Sequence, residues 1–286
     1  MIIHGPDSPF ELFVDSDAMG DSTGGLPEAV RDVYRGDWVI PETASGLYCY
    51  SNFVMSHDGR VSFNIPGHEG GGDVSDFNPH DQWLMGLLRA RADAVIVGAN
   101  TLRTESEHIW TPEFIYPKDA GGFAELRDAE RRSRTPIQVF VTRSGDITSD
   151  AAVFQDSSLS IVVVTSREGE NNLAVDRLPN VSVVVAGEKD VDIPQALKHL
   201  RDDYGVRTLL CEGGPRVYGA FVSSEALDEE FLTLSPVLVG AGEGQPRPGL
   251  IEGFPLPPGS PQRARLVSVR RASDHLFLRT KFDYGP

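Results

Sequence analysis

Cysteine is scarce in this chain of 286 residues, with Cys49 and Cys211 its only two. Two thiols cannot build a disulfide framework or a four-cysteine zinc site. Long apolar runs are also missing, and nothing approaches the ~20 consecutive apolar residues of a membrane span. The start of the chain carries Asp7, Glu11, Asp15 and Asp17, where a signal peptide would have a basic end and an apolar stretch. A reducing, cytoplasmic setting is therefore expected. Basic residues are outnumbered, 26 Lys and Arg against 42 Asp and Glu, for a net charge of −16. Nucleic acid and anionic membranes both require a basic surface, so neither is expected as a partner. A small molecule is.

What is present is ordinary globular material. A 40% hydrophobic share beside 24% charged residues excludes a disordered chain, and the length allows a sizeable core. Residues 1–45 stand apart, with nine acidic residues against two basic ones and a turn-rich run from Gly20 to Gly25. They are expected to form an acidic N-terminal extension with one short helix near 28–34, either surface-packed or mobile. Ordered structure is expected to begin near Leu47, and residues 46–286 to form one domain.

From there, short β-branched runs at 47–55, 94–97, 137–141, 159–165, 181–185 and 208–211 alternate with helical patterns. The helices are placed at 81–92, 193–204 and 216–223, the first with Trp83, Leu84, Leu87 and Leu88 on one face. Strands separated by helices of this length imply right-handed crossovers and a mostly parallel sheet in an α/β fold. Residues 265–271 and 275–282 alternate apolar and polar around Ser273-Asp274, which reads as an antiparallel hairpin. The intervening 242–261 is a surface loop with six prolines.

Three strand ends carry polar chemistry. One apolar strand runs into Glu212, Gly213, Gly214 and Pro215, followed by Arg216, Val217 and Tyr218. Glycines admit a phosphate close to the backbone, and the exposed N–H groups of a helix start attract an anion. A glycine pair also occurs at ordinary strand-to-helix turns. A second turn of this kind holds Gly98, Thr101 and Arg103, and two such turns in one sheet could clamp a pyrophosphate. A third strand ends in Thr142-Arg143, where an arginine suits a 2′-phosphate. Ligands of such sheets bind at the carboxyl ends of the strands.

A fourth strand breaks at Ser56-His57-Asp58-Gly59-Arg60. That run resembles the S-L-D-G-[RK] motif of the reductase domain of bacterial riboflavin biosynthesis, a relative of dihydrofolate reductase. Leu88-Arg89-Ala90 with Asp93 to Gly98 and Thr101 is similar to its L-R-A…D-A-[IV]-[LV]-x-G-x-x-T block. Glu212 to Pro215 is similar to its E-[GA]-G-P. Leu227-Asp228-Glu229 with Pro236 to Gly240 is similar to its closing segment. The ordered set spans about residues 47–282 and is far more specific than any one member.

The resemblance implies a dihydrofolate reductase-like fold with a mostly parallel sheet, and NADPH as hydride donor. The reaction implied is reduction of the ribosyl group of an aminopyrimidine phosphate, with hydride passing to the sugar C1. Around the cofactor it places the backbone at Val54, together with Thr101, Glu105, Thr142, Arg143 and residues 214–219. Gly98, Arg103, Gly213, Gly214, Pro215, Arg216 and Val217 belong with that set. It places Arg89 and Glu212 at the sugar phosphate, with Asn52 and Ile109 beside the substrate. Asp58 and Glu212 are the carboxylates expected to act in catalysis, by orienting sugar hydroxyls or stabilising a transient cation. The family often pairs subunits through the sheet edge, so a homodimer is expected, with the apolar run 232–239 and the terminal hairpin as candidate surfaces.

Some positions depart from the pattern. A Lys is common in the family where Asn52 stands, and His57 replaces an apolar residue. Glu105 to Ile109 replaces D-[DN]-P-x-L, and Trp110-Thr111-Pro112 stands where an Arg is usual. The loop 65–79, with Gly70-Gly71-Gly72, is longer than expected. Losing two cations leaves open another substrate, including an unphosphorylated one. The alternatives are a related reductase of a pterin, carbonyl or imine, and a non-catalytic NADP-binding protein. The zinc-deaminase motifs H-x-E and P-C-x-x-C are absent, which implies a stand-alone reductase. His57, His68, His80 and His108 lack helical metal spacing and read as solvated loop residues, so no metal is expected. Cys211 on an apolar strand reads as a packed core thiol.

Overall fold

The computed structural model describes residues 1–17, 25–175, 178–259 and 261–284; most of the turn-rich run at 20–25 lies outside them. The strands are β1 (Glu11–Asp15), β2 (Tyr48–Met55), β3 (Ala94–Gly98), β4 (Ile137–Thr142), β5 (Ile161–Thr165), β6 (Val181–Val185), β7 (Thr208–Cys211), β8 (Glu229–Leu234), β9 (Arg263–Ala272) and β10 (His275–Asp283). The helices are α1 (Glu28–Tyr34), α2 (Pro79–Ala90), α3 (Ala99–Thr104), α4 (Pro112–Ile115), α5 (Ala120–Ala129), α6 (Ala152–Gln155), α7 (Arg167–Glu170), α8 (Ile193–Tyr204) and α9 (Pro215–Ser223).

One ten-stranded sheet runs in the order β1-β9-β10-β8-β2-β7-β3-β4-β5-β6. From β8 to β6 every pairing is parallel. From β8 outward through β10, β9 and β1 the pairing is antiparallel. The parallel part matches the sequence reading, and its reason is burial on both faces. All five residues of β3 and of β5 are buried, which an uninterrupted apolar run permits and an alternating one does not. Successive side chains divide between two cores. Tyr50, Val95, Val97, Phe140 and Leu210 pack with Trp83, Leu84, Leu87 and Leu88 of α2. Cys49, Ile96, Val139, Leu209 and Cys211 pack with Ala196 and Leu200 of α8 and Phe221 and Val222 of α9. Asn78 caps α2 by accepting from the backbone N–H groups of His80 and Asp81, with Pro79 in the first turn. Among the described residues no helix is long and apolar enough to cross a membrane.

Two expectations need correcting. Ordered structure does not wait until Leu47. Helix α1 forms as the sequence suggests, and β1 extends the sheet beside β9. Phe10, Val30, Tyr34 and Trp38 enter the same core as α2. The acidic composition misleads because the acids pair across to the sheet: Asp15 meets Arg270 at 2.9 Å with both side chains buried. Nor does the 232–239 run offer a free edge, since β8 lies between β10 and β2, and β9 of the hairpin is covered by β1. The sheet edges are β1 and β6.

Candidate active site

The carboxyl ends of β2, β7, β3 and β4 lie side by side, so the four polar strand ends share one rim. The β3–α3 and β7–α9 turns face each other. A Cβ on Gly98 would come 3.1 Å from a Val217 methyl, and one on Gly214 would come 3.5 Å from the Thr101 hydroxyl. Gly213 is tighter, since its Cβ would sit 2.5 Å from Val217 Cγ1, so a side chain there would push α9 away. Pro215 opens α9, and no side chain caps it. Its first N–H groups are left for a ligand, and the helix dipole favours an anionic one. Beside this, Thr142 donates to the Asp146 carbonyl at 3.4 Å, while Arg103 donates to Asn100 and to the Asp146 carboxylate at 3.1 Å. Arg143 is 74% exposed and stands 3.7 Å from the exposed Asp190. Such a pair contributes little. Arg216 is exposed.

On the α2 side, Arg89 and Glu212 meet. The Arg89 Nε donates to both Glu212 oxygens, at 3.2 and 3.1 Å, and Nη2 donates to one at 2.8 Å. Nη1 donates to the Thr111 carbonyl at 3.3 Å. The side chains are 2% and 6% exposed, so the arginine that sequence assigns to a sugar phosphate is already engaged by the carboxylate next to it. Asn52 is buried on the β2 face that carries Tyr50 and Val54, opposite Phe231. Ile109 packs against the α2 core.

Glu105 follows α3, and Gly70 of the glycine-rich loop lies against it: a Cβ there would come 2.5 Å from its carboxylate. Gly71 lies similarly close to Val54, so the long loop closes over two positions expected to face the cofactor. Burial raises the Glu105 pKa, and the charge of Glu212 adds to it while Arg89 opposes it. His108 is not a solvated loop residue. It lies between Trp110 and Phe114, with ring centroids at 4.9 and 4.6 Å, and burial together with Arg89 lowers its pKa to about 2. The imidazole is therefore neutral, and its 3.8 Å approach to Glu105 is not an ion pair. Thr104, Glu105, Ser106, Glu107, His108 and Phe114 line a cavity of about 310 Å³. A larger cavity, about 660 Å³, lies at β1 and α1, away from the strand ends. His80 is also buried, on α2, and bonds the Ser8 carbonyl at 2.8 Å. Among the described residues no group of three His, Cys, Asp or Glu is placed to hold a metal ion.

Asp58 is exposed at the end of β2. Its carboxylate accepts from the Ser56 hydroxyl at 2.7 Å and from the backbone N–H groups of Val239 and Gly240 at 2.9 and 2.7 Å. Those bonds, the Val239 N–H first, hold its pKa down at about 2. It ties the end of β2 to the loop after β8. The carboxyl that sequence reading missed is Asp81, in the first turn of α2. It is buried, and Thr233 donates to it at 2.7 Å. Its spacing could have revealed it, because 81, 84 and 88 share one helical face. Burial raises its pKa to about 6, opposed by Thr233 and Ser75 and assisted by Glu212. The protonated form thus favours the fold. That stabilisation is complete below about 3.8 and is lost as pH rises through about 6. Asp81→Asn should flatten the change in melting temperature between about pH 4 and pH 7. An unchanged profile in that variant would remove Asp81 as its source.

The architecture is dihydrofolate reductase-like, and a pyrimidine reductase-like protein of Corynebacterium diphtheriae shares it with a TM-score of 0.66 at 22% identity, over 85% of this chain and 95% of that one. The RibD C-terminal domain family matches residues 48–277, and the chain belongs to it. Two proteins named 2,5-diamino-6-ribosylamino-4(3H)-pyrimidinone 5′-phosphate reductase are similar to it. The one from Archaeoglobus fulgidus is 22% identical over 82% of this chain and 98% of its own length. The one from Aquifex aeolicus is 27% identical over 58% of this chain and 66% of its own length.

Proposed function

We propose that the chain is an NADPH-dependent reductase of the riboflavin-biosynthetic type, converting the ribosylamino group of an aminopyrimidine phosphate to a ribitylamino group. The observation that carries this reading is the shared rim: two facing glycine turns, the buried Arg89–Glu212 pair and the 310 Å³ cavity beside Glu105. The names of the relatives support the substrate class. The residues fit a dinucleotide, since Gly98 and Gly214 keep the facing turns free of side chains and the start of α9 is uncapped. Gly98, Thr101 and residues 213–217 would hold its phosphates, and Arg103, Thr142 and Arg143 its adenosine end. When bound, the nicotinamide supplies the hydride.

The chain's own groups bind, orient and exclude water, which supplies most of the help a hydride transfer needs. Glu212 is fixed by Arg89 and can accept from a sugar hydroxyl while holding negative charge near a developing cation. Glu105, with its raised pKa, is suited to hold a proton beside the same cavity. A homodimer and a cytoplasmic location accompany this reading.

The test follows NADPH oxidation with aminopyrimidine ribosyl substrates and with dihydrofolate. Turnover of the first alone is expected; turnover of dihydrofolate alone would move the protein to a pterin reductase, and tight NADPH binding without turnover would make it a non-catalytic binder. Arg143→Ala should weaken NADPH roughly tenfold, about the loss of one charge-assisted hydrogen bond, and leave NADH unchanged. Equal losses in titrations of both nucleotides would remove Arg143 from the 2′-phosphate.

A further inference from the structure

The cavity beside Glu105 has walls that a phosphate would avoid. They are Thr104, Glu105, Ser106, Glu107, His108 and Phe114, with no lysine or arginine among them. His108 adds no charge, because burial and the nearby Arg89 keep its imidazole neutral. Arg89 is itself held by Glu212. The Glu107 side chain is exposed and, among the described residues, meets no cation. An anion in this cavity would face two carboxyl groups and nothing to offset them, at a range too short for salt to screen.

One wall is aromatic. Phe114 sits on the short helix α4, opened by Pro112, and stays 42% exposed. Its ring lies 4.6 Å from that of His108, which lies 4.9 Å from Trp110. The other wall offers acceptors, in the carboxylates and in the hydroxyls of Thr104 and Ser106. A flat ring with N–H groups on its edge suits both walls: its face covers Phe114 and its edge donates. The cavity also adjoins the groups assigned to the sugar, since Glu105 feels the charges of both Arg89 and Glu212. A ribosylaminopyrimidine whose sugar reaches Glu212 therefore has its ring here and its phosphate outside.

We propose that this cavity holds the pyrimidine ring, and that Glu107 selects a ring with an amino group at C2, a diaminopyrimidinone, over the 2-oxo ring of an aminouracil. The amino group donates to the carboxylate, whereas an oxo group sets one acceptor against another. This rests on the reductase reading and concerns which ring that reductase prefers.

The test compares kcat/KM for the two ribosylamino phosphates, alike except at C2, in the unaltered protein, Glu107→Gln and Phe114→Ala. The diamino compound is expected to be favoured ~10-fold or more, the worth of one charge-assisted hydrogen bond. Glu107→Gln should bring the two to within about twofold, because an amide can accept from an amino group or donate to an oxo group. Phe114→Ala should raise KM for both alike. Equal use of the two compounds by the unaltered protein, or a preference that survives in Glu107→Gln, overturns the proposal. Reduction of neither overturns the reductase reading, and titration calorimetry with the free triaminopyrimidinone and diaminouracil rings then decides the cavity. Tighter binding of the former that is lost in Glu107→Gln sustains the proposal, and equal or absent binding overturns it.

Discussion

Glu212→Ala is expected to destabilise the protein by about 3–5 kcal/mol, the usual cost of stranding one partner of a buried ion pair. The size follows from what remains. Arg89 donates to Glu212 through Nε and Nη2 and has only the Thr111 carbonyl besides, so removing the carboxylate leaves a charge at 2% exposure with most of its donors unmet. Arg89→Ala has the complementary effect and leaves the Glu212 carboxylate without its guanidinium partner. Replacing both at once, Arg89→Met with Glu212→Leu, should recover most of the stability, because apolar groups of similar volume often replace a buried pair at little cost. It should not recover turnover. Urea unfolding and NADPH oxidation on the three variants separate the two effects. A double variant that keeps its activity would show that the pair is architectural and takes no part in binding substrate.

Removing residues 1–45 is expected to abolish cooperative folding. The cut takes Phe10, Val30, Tyr34 and Trp38 out of the α2 core and uncovers β9. It also breaks a buried polar network. Glu229, fully buried, accepts from Trp38 Nε1 at 2.9 Å, from the Tyr48 hydroxyl at 2.5 Å and from Arg279 Nε at 2.5 Å. Arg91 lies over the Trp38 ring at 4.8 Å. Trp38→Ala alone should cost about 3–5 kcal/mol. Were the shortened chain to unfold at the same urea concentration as the whole one, the segment would be a passenger after all.

Sequence made the parallel half of the sheet legible because burial on both faces writes an uninterrupted apolar run, as at β3, β5 and β7. It hid β8, whose Glu229 and Glu230 look like surface residues. Only the fold supplies their partners: Trp38, Tyr48 and Arg279 for one, and Tyr218 and Thr280 for the other. It hid β1 for the opposite reason, since an edge strand with Leu12, Phe13 and Val14 exposed carries no clear alternation. The motif residues around the rim could be named individually because glycine, arginine and glutamate have distinct chemistry at strand ends. Their engagements could not. Nothing local reveals that Arg89 is spent on Glu212, or that Asp58 is spent on Val239 and Gly240, because those partners lie 123, 181 and 182 residues away.

The same separation bears on how the molecule is made. β1 is held by β9, with Glu11 and Arg271 joined across 260 residues, and Trp38 waits for a partner 191 residues downstream. While the chain emerges from the ribosome, β1 has no strand to pair with until β9 is synthesised, and the Trp38 indole N–H has no acceptor until Glu229 is. Pairings this remote in sequence are slow to form and leave apolar surface uncovered meanwhile. The yield of folded protein should therefore depend more on translation speed and temperature than its finished stability suggests.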